Sequence, residues 1–440
     1  MTMMAGMLAV INTASQSQST FLSFLSMILS SARCLTLATY PLPFRVYCGI
    51  PSNRVAKQVA LARSPSTRYY VHHTAKNNES ASSVVVPTAE GVISAGKLLA
   101  GRVVHTPLLE SPLLNQQLQT RLLVKAECLQ RTGSFKYRGA LHRLLRLQQT
   151  DPDAASRGVV AFSSGNFGQA LAAAATSLGV SCCIVSPHDA PKLKLQRIEA
   201  YGAQLVLSEA KEGENREVIA SALARDISET KGMTLLHPFE DVDVVHGQGT
   251  TGLELLRQSD ELLAADNNNE WKLGSIIVPC GGGGLTAGIC LAVEAMEKQA
   301  NVGVMTVEPQ GYDDHAQSFG LPDRKRTSLA DLYPNDDGTR VKSTYCDALM
   351  AGAPGITTWT INGSRLSSAL ASSGDESAAR AMRTAFEHFR IVLEPSGALA
   401  LAAVLDGQVE IQPNRAIAII ASGGNTDLST FAKLMGCTNQ

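Results

Sequence analysis

The first 78 residues of this chain contain no aspartate and no glutamate; the first acid is Glu79. The same stretch carries seven basic residues, Arg33, Arg45, Arg54, Lys57, Arg63, Arg68 and Lys76, among many serines and threonines. Acid-free, basic and hydroxyl-rich is the composition of an organelle transit peptide. A secretory signal fits less well: the apolar stretch LSFLSMILSS is broken by serines and no basic residue precedes it. Residues 1–80 are therefore expected to be a disordered targeting segment, addressed to the mitochondrion, with plastid or cytoplasm as the alternatives. No apolar run approaches the length needed to cross a bilayer, so no membrane association is expected. Strong net charge is absent too: the whole chain sums to −1 and the part from residue 79 onward to −8, which gives no pull toward nucleic acid. The nine cysteines form no CxxC pair and no zinc-finger spacing, and read as reduced core residues of an intracellular protein. Internal repeats are lacking as well.

What is present from about residue 87 is an alternation of apolar runs and amphipathic segments. PTAEGVISAGKLLAG reads as a first helix with Thr88 as its cap and Glu90 in its first turn. HTPLLESPLLNQQLQTRLLVKAECL suggests two short strands around a turn. Next comes the helical spacing of Ala140, Leu141, Leu144, Leu145 and Leu147. From GVVAFSS to MTLLHPF the pattern is βαβαβ, and it resumes at SIIVPC, LTAGICLAVEAMEKQ, VGVMTVEP and RAIAIIASGGN. Residues 318–345 are polar, with loop signals at Pro322, Pro334 and Gly338. The fold class is α/β: two open-sheet domains with helices on both faces.

Three turns share one design. Ser163–Asn166 (SSGN), Gly281–Gly284 (GGGG) and Ser422–Asn425 (SGGN) each follow an apolar strand, where open α/β sheets bind ligands. Glycine lets backbone N–H groups approach an anion, and a following helix adds partial positive charge. GGGLTA (282–287) with Glu308 at the end of the next strand also fits a nicotinamide-cofactor fingerprint. That reading explains neither SSGN, nor SGGN, nor Lys136 in RTGSFKYRGA. The P-loop pattern GxxxxGK[ST] is missing. A phosphate cradle, two Ser/Asn turns and one lysine together suit pyridoxal phosphate, whose aldehyde takes a lysine as a Schiff base and whose phosphate wants backbone donors.

With these stretches assembled, the chain resembles the fold-type II pyridoxal-phosphate enzymes, which share the architecture of the tryptophan synthase β subunit, and within them the serine/threonine dehydratase and serine racemase family. SFKYRGA, SSGNFGQALA, HPFEDVDVVHGQGT, PCGGGGLTAGI, VEPQGYDD, EPSGALALAA and ASGGNTDL occur in family order from about residue 88 onward. The resemblance implies a large cofactor-binding domain from residues 81–157 and 241–440. It implies a small domain, 158–240, that moves to close over substrate. Lys136 is then the Schiff-base lysine and the base at Cα. Phe135 packs near the ring, Asn166 meets the ring hydroxyl, and Gly281, Gly282, Gly283 and Gly284 hold the phosphate. Ser422 faces the pyridine nitrogen. A serine there cannot keep that nitrogen protonated as a carboxylate would, so expulsion of a β-hydroxyl is the favoured exit. Ser163, Ser164, Gly165, Asn166 and Phe167 grip the substrate carboxylate, and Ser164 stands on the face opposite the lysine, where it could protonate Cα and racemise. Phe167 departs from the usual histidine of that motif.

The implied function is a serine/threonine ammonia-lyase that turns L-serine or L-threonine into a 2-oxo acid and ammonia. Serine racemase with eliminase activity, or a 3-hydroxyaspartate dehydratase, is the near alternative. From other classes, a nicotinamide oxidoreductase and an inactive amino-acid-binding protein stay open. The resemblance further implies a Mg2+ or Ca2+ site from Glu308, the carbonyl of Tyr312 and Asp314, and a homodimer acting on a small amino-acid substrate. Glu394 and Ser396 are placed near the site or at a helix start. Only about a dozen residues follow SGGNTDL, which favours a catabolic or racemase-type enzyme over one with an added effector domain.

Overall fold

The structure, a computed structural model, describes residues 85–163, 165–211, 216–265, 270–296, 301–334 and 344–436. The proposed targeting segment and Ser164 lie outside the described residues. Ten strands are present among them: β1 (Leu108–Glu110), β2 (Leu122–Lys125), β3 (Val159–Phe162), β4 (Cys182–Pro187), β5 (Gln204–Ser208), β6 (Thr234–Leu236), β7 (Lys272–Pro279), β8 (Gly303–Glu308), β9 (Ser368–Ala371) and β10 (Arg415–Ile420). They form a six-stranded sheet, β1-β2-β10-β7-β8-β9, and a four-stranded sheet, β5-β4-β3-β6. Every pairing is parallel except β1 with β2. The smaller sheet draws all its strands from residues 159–236.

Parallel strands covered on both faces must be apolar on both faces, which is why RAIAII and SIIVP read as unbroken apolar runs. In β10, Ile417 and Ile419 enter one core, with the helices Asp375–Phe389 and Pro395–Leu405. Ala416, Ala418 and Ile420 enter the other, with the helices Val242–Ala264 and Gly284–Ala295. The small sheet is sandwiched likewise: Val159 and Ala161 face the helices Lys136–Thr150 and Asn166–Leu178, while Val160 faces Arg216–Lys231. Each fully buried Leu, Ile or Val contributes roughly 1.5–3 kcal/mol. The six cysteines among the described residues are buried and unpaired.

The first helix runs Ala89–Leu99, with the Thr88 side chain accepting from the N–H of Gly91. Between β1 and β2 the chain does not simply turn; Ser111 caps a short helix, Pro112–Leu118, with proline at its first position. The polar stretch expected as loop contains the helix Leu329–Leu332, and it is flanked by the helices Asp314–Gly320 and Ile356–Arg365, which precede β9. The turns after β3, β6, β7 and β10 lie at the carboxyl ends of their strands. The fold thus presents them as its candidate site.

Candidate active site

Lys136 is the first residue of its helix, and the segment before it is stitched to the β10 turn. Ser134 pairs with Gly423 in a β-bridge, and the Phe135 N–H donates to the Ser422 carbonyl at 3.1 Å. The stitch brings the segment that carries the lysine to the Ser422 turn, although 286 positions separate Lys136 and Ser422 in the chain. Lys136 Nζ lies 3.4 Å from the Pro238 carbonyl and 5.0 and 6.0 Å from the ring centres of Phe135 and Phe167. The residue is half-buried by area, yet its amine is enclosed. Loss of water lowers its pKa to about 8, with nearby Cys280 opposing.

Behind the lysine a buried ion network holds the helix start. The Arg138 guanidinium forks onto Glu127 (2.7 and 2.8 Å) and reaches Glu254 (2.7 and 2.8 Å), while Lys125 Nζ meets Glu254 at 2.8 Å. Two cations and two carboxylates close on one another, as burial demands. The sequence showed Arg138 only as a motif letter; its partners come from the turn after β2 and a distant helix.

The glycine turn after β7 is shaped from outside. The Gly282 carbonyl accepts from Thr358 Oγ1 (2.7 Å) and the Gly355 N–H (3.3 Å). The Gly283 carbonyl accepts from Asn362 Nδ2 at 3.2 Å. With the carbonyls held there, the N–H groups of Gly281, Gly282 and Gly283 donate to no described residue and sit at a helix N-terminus, a ready anion cradle. Gly283 has φ +89°, and a Cβ would meet His315 Nε2 and Asn362 Nδ2 at 2.6 Å. At Gly282 it would meet the Phe239 ring at 2.4 Å. The glycines therefore serve packing as well as ligand approach.

Phe239 belongs to the turn after β6, part of the HPFEDVDVVHGQGT motif, which carried no assigned role in sequence. His237 Nδ1 accepts the N–H of Glu240 at 3.1 Å, and burial, reinforced by Lys136, lowers its pKa to about 4, so it is neutral. Glu240 in turn caps the helix Ile356–Arg365, accepting from the N–H groups of Ile356 (2.5 Å) and Thr357 (2.8 Å).

In the β3 turn, Ser163 Oγ accepts the N–H groups of Gly165 (3.2 Å) and Gly168 (3.0 Å), so this hydroxyl shapes the loop. Asn166 is buried, with both ends of its amide engaged: Nδ2 donates to Glu394 Oε1 (2.5 Å), and Oδ1 accepts from Asn425 (2.9 Å). Phe167 is 2% exposed and faces the lysine. Glu394, buried, also lies 3.6 Å from Lys194, whose principal partner is Asp347 at 2.6 Å. Burial pushes Glu394 up to about 7 despite Lys194. Neither Lys194 nor Asp347 was singled out from sequence.

The residues fit pyridoxal phosphate: an enclosed amine of lowered pKa, unpaired backbone donors at a helix start, and the buried Ser422, a hydroxyl-bearing residue rather than an acid, beside the lysine segment. An all-oxygen cation cage fits less well. Glu308 Oε1 accepts the N–H of His315 (3.1 Å) and faces its Nδ1 (3.0 Å); Oε2 accepts the N–H of Ala316 (2.9 Å). Asp314 Oδ1 lies 2.9 Å from the same Nδ1, leaving its buried Oδ2 without a partner. The Tyr312 N–H closes a turn onto Pro309 at 2.9 Å. Hard cations ask for six or more oxygens; here the imidazole stands between the two carboxylates. Glu308 is fully buried with both oxygens turned onto the helix start at His315 and Ala316, which argues against a ribose hydroxyl as its partner.

Known proteins resemble this chain over most of its length. A serine racemase of Arabidopsis thaliana is 36% identical over 331 residues, 74% of this chain and 89% of that protein. An L-threo-3-hydroxyaspartate ammonia-lyase of Saccharomyces cerevisiae is 32% identical over 352 residues, 80% and 97% of the two. The solved T.th. threonine deaminase superposes with a TM-score of 0.66 at 36% identity, covering 78% of this chain and 99% of that one. The family model described as pyridoxal-phosphate dependent enzyme matches residues 99–423, across the lysine, the glycine turn and Ser422, and this chain belongs to that family.

Proposed function

We propose that the chain is an ammonia-lyase for small β-hydroxy amino acids, L-serine or L-threonine, eliminating water to give the 2-oxo acid and ammonia. The observation that carries this reading is an enclosed Lys136 whose segment is hydrogen-bonded to the β10 turn at Ser422, a position held by a hydroxyl-bearing residue rather than an acid. Pyridoxal phosphate, when bound, supplies the electron sink for the substrate's Cα. The chain's residues do the rest. The Lys136 amine carries the cofactor and takes the Cα proton. The N–H groups of Gly281–Gly284 would hold the phosphate, and the Ser422 hydroxyl would face the ring nitrogen, where it could not keep a proton as a carboxylate does. The turn organised by Ser163, with Gly165, Asn166 and Phe167, orients the substrate carboxylate, while Phe135 and Phe167 keep water from the amine. Asn166, now bonded to Glu394 and Asn425, would have to give up or share one of these partners to meet the ring hydroxyl.

A second reading, serine racemase with eliminase activity, is favoured by the 36% identity to the Arabidopsis thaliana enzyme. It rests on Ser164 as a proton donor on the opposite face. One assay separates the two: purified holoenzyme with L-serine, followed for pyruvate and for D-serine. Pyruvate in excess, with threonine also turned over, supports the lyase. D-serine in excess supports the racemase, and 3-hydroxyaspartate as the preferred substrate supports the dehydratase. No product from any of the three supports an inactive binder. Further parts of the proposal are closure of the 158–240 lobe over substrate, a homodimer, and import into the mitochondrion on the acid-free leader.

A further inference from the structure

We infer that Asn425 is a positioning residue for the cofactor's ring hydroxyl, fixing which end of the Asn166 amide faces that group; this rests on, and deepens, the role proposed above for Asn166. An amide has a donating end and an accepting end, and only its nitrogen can serve an ionised ring oxygen. Asn166 and Asn425 are both buried, so neighbouring groups rather than water decide which end is presented.

A directed run of hydrogen bonds makes the choice. Arg197 Nη1 donates to Asn425 Oδ1 at 2.6 Å. Asn425 Nδ2 donates to the Thr132 carbonyl at 2.8 Å and to Asn166 Oδ1 at 2.9 Å. Asn166 Nδ2 then donates to Glu394 Oε1 at 2.5 Å. A guanidinium only donates and a carbonyl only accepts, so the Asn425 amide cannot be reversed. Both of its amide hydrogens are used, and one of them holds the Asn166 oxygen toward Asn425. Asn166 Nδ2 keeps a second hydrogen beyond the one given to Glu394, and the ring oxygen would share that nitrogen. Glycine makes the room. A Cβ at Gly133, in the turn before Lys136, would meet Asn425 Oδ1 at 2.5 Å, and one at Gly423 would strike Glu394 Oε1. From Arg197 through Asn425 and Asn166 to Glu394, every bond crosses between the lobes, so Asn166 is presented in this way only while the lobes are docked.

The test reads the absorbance of the lysine-bound cofactor in the holoenzyme, not turnover. In Asn425→Asp the carboxylate still accepts from Arg197 but can donate to neither Thr132 nor Asn166. The Asn166 amide should then turn over and donate to the new carboxylate. That leaves its oxygen toward the ring hydroxyl, which must keep its proton to pair with it. The expected result is absorbance moved from the visible band to the near ultraviolet, with cofactor affinity weakened about 10-fold. Arg197→Met also removes a contact between the lobes, yet the Thr132 carbonyl still holds Asn425, so its bands should stay in place. Circular dichroism and Tm check that each variant folds. Wild-type bands in Asn425→Asp overturn the inference. So does an equal shift in Arg197→Met, which would mean that lobe packing alone is being read. If Asn425→Asp does not fold, Asn425→Ala decides: it leaves Asn166 Oδ1 without a donor and should move the bands the same way by less, and unmoved bands overturn the role. Asn166→Ala tells this inference apart from the reading beneath it. Bands that move there but not in Asn425→Asp remove the positioning role and leave the Asn166 assignment standing; bands unmoved in both remove both.

Discussion

Lys136 works as a chemical group because the protein takes water from its amine. Only the neutral amine attacks an aldehyde, and a pKa of about 8 makes that form accessible near neutrality. Cofactor uptake by the apoenzyme should therefore quicken about tenfold per pH unit below 8 and level off above it. Stopped-flow absorbance of the lysine-bound cofactor across pH checks this; a midpoint near the ordinary lysine value would contradict it. Phe167 supplies part of the dry wall, 6.0 Å from Nζ. Phe167→Ala should admit water and move the uptake midpoint upward, while Phe167→Leu should leave it nearly in place, measured in the same way. The lysine was legible in sequence because it sits in SFKYRGA. The cause of its low pKa was not: its surroundings come from Pro238, Phe167 and Cys280, which lie far from it in the chain.

At the scale of elements, the turns and the helices behind them act as units. A methyl group at Gly283 would demand a left-handed backbone, costing about 1–2 kcal/mol, and would strike His315 and Asn362. Gly283→Ala should weaken cofactor binding by at least ~10-fold with the secondary structure kept, as equilibrium dialysis and circular dichroism would show. The helix that starts at Lys136 depends on Arg138. Arg138→Met strands Glu127 in the interior and should cost about 3–5 kcal/mol in urea unfolding, whereas Arg143→Met, at a partly exposed pair with Asp241, should cost under about 1 kcal/mol. Near-equal losses would show that burial does not set the difference.

The strands that sequence resolved, β1 and β2 in the stretch after the first helix, then β3 to β8 and β10, are largely apolar runs bounded by glycine, proline or small polar residues. Those it missed lack that signal. β9 is the four-residue SALA, half-buried along its length, and the helix Asp314–Gly320 begins in an acidic turn with little apolar periodicity. Thr358 and Asn362, which hold the glycine turn, went unread because their helix follows a polar stretch without a marked start.

At the scale of the whole molecule, the two sheets meet across the site. Asn166 to Asn425 and Glu394, Arg197 to Asn425, and Lys194 to Asp347 join the small lobe to the large one. Burial disfavours the Lys194 charge, but Glu394 and Asp347 outweigh it and raise its pKa. If the lobe moves as proposed, these contacts tighten on closure. Hydrogen exchange over residues 159–236 should slow when a substrate analogue is added to the holoenzyme, and Lys194→Ala should reduce that protection. Unchanged exchange in both would argue for a rigid pair of lobes. Sequence motifs located the three turns but could not show which side chains cross between sheets, since such contacts are set by how the lobes pack.

All of these expectations rest on one covalent attachment. Holoenzyme reduced with borohydride, digested and sequenced by mass spectrometry should carry its pyridoxyl group on the peptide containing Lys136, at that residue and at no other lysine. A pyridoxyl group on a different lysine, or none on fully occupied protein, would contradict the assignment of Lys136 and the chemistry built on it.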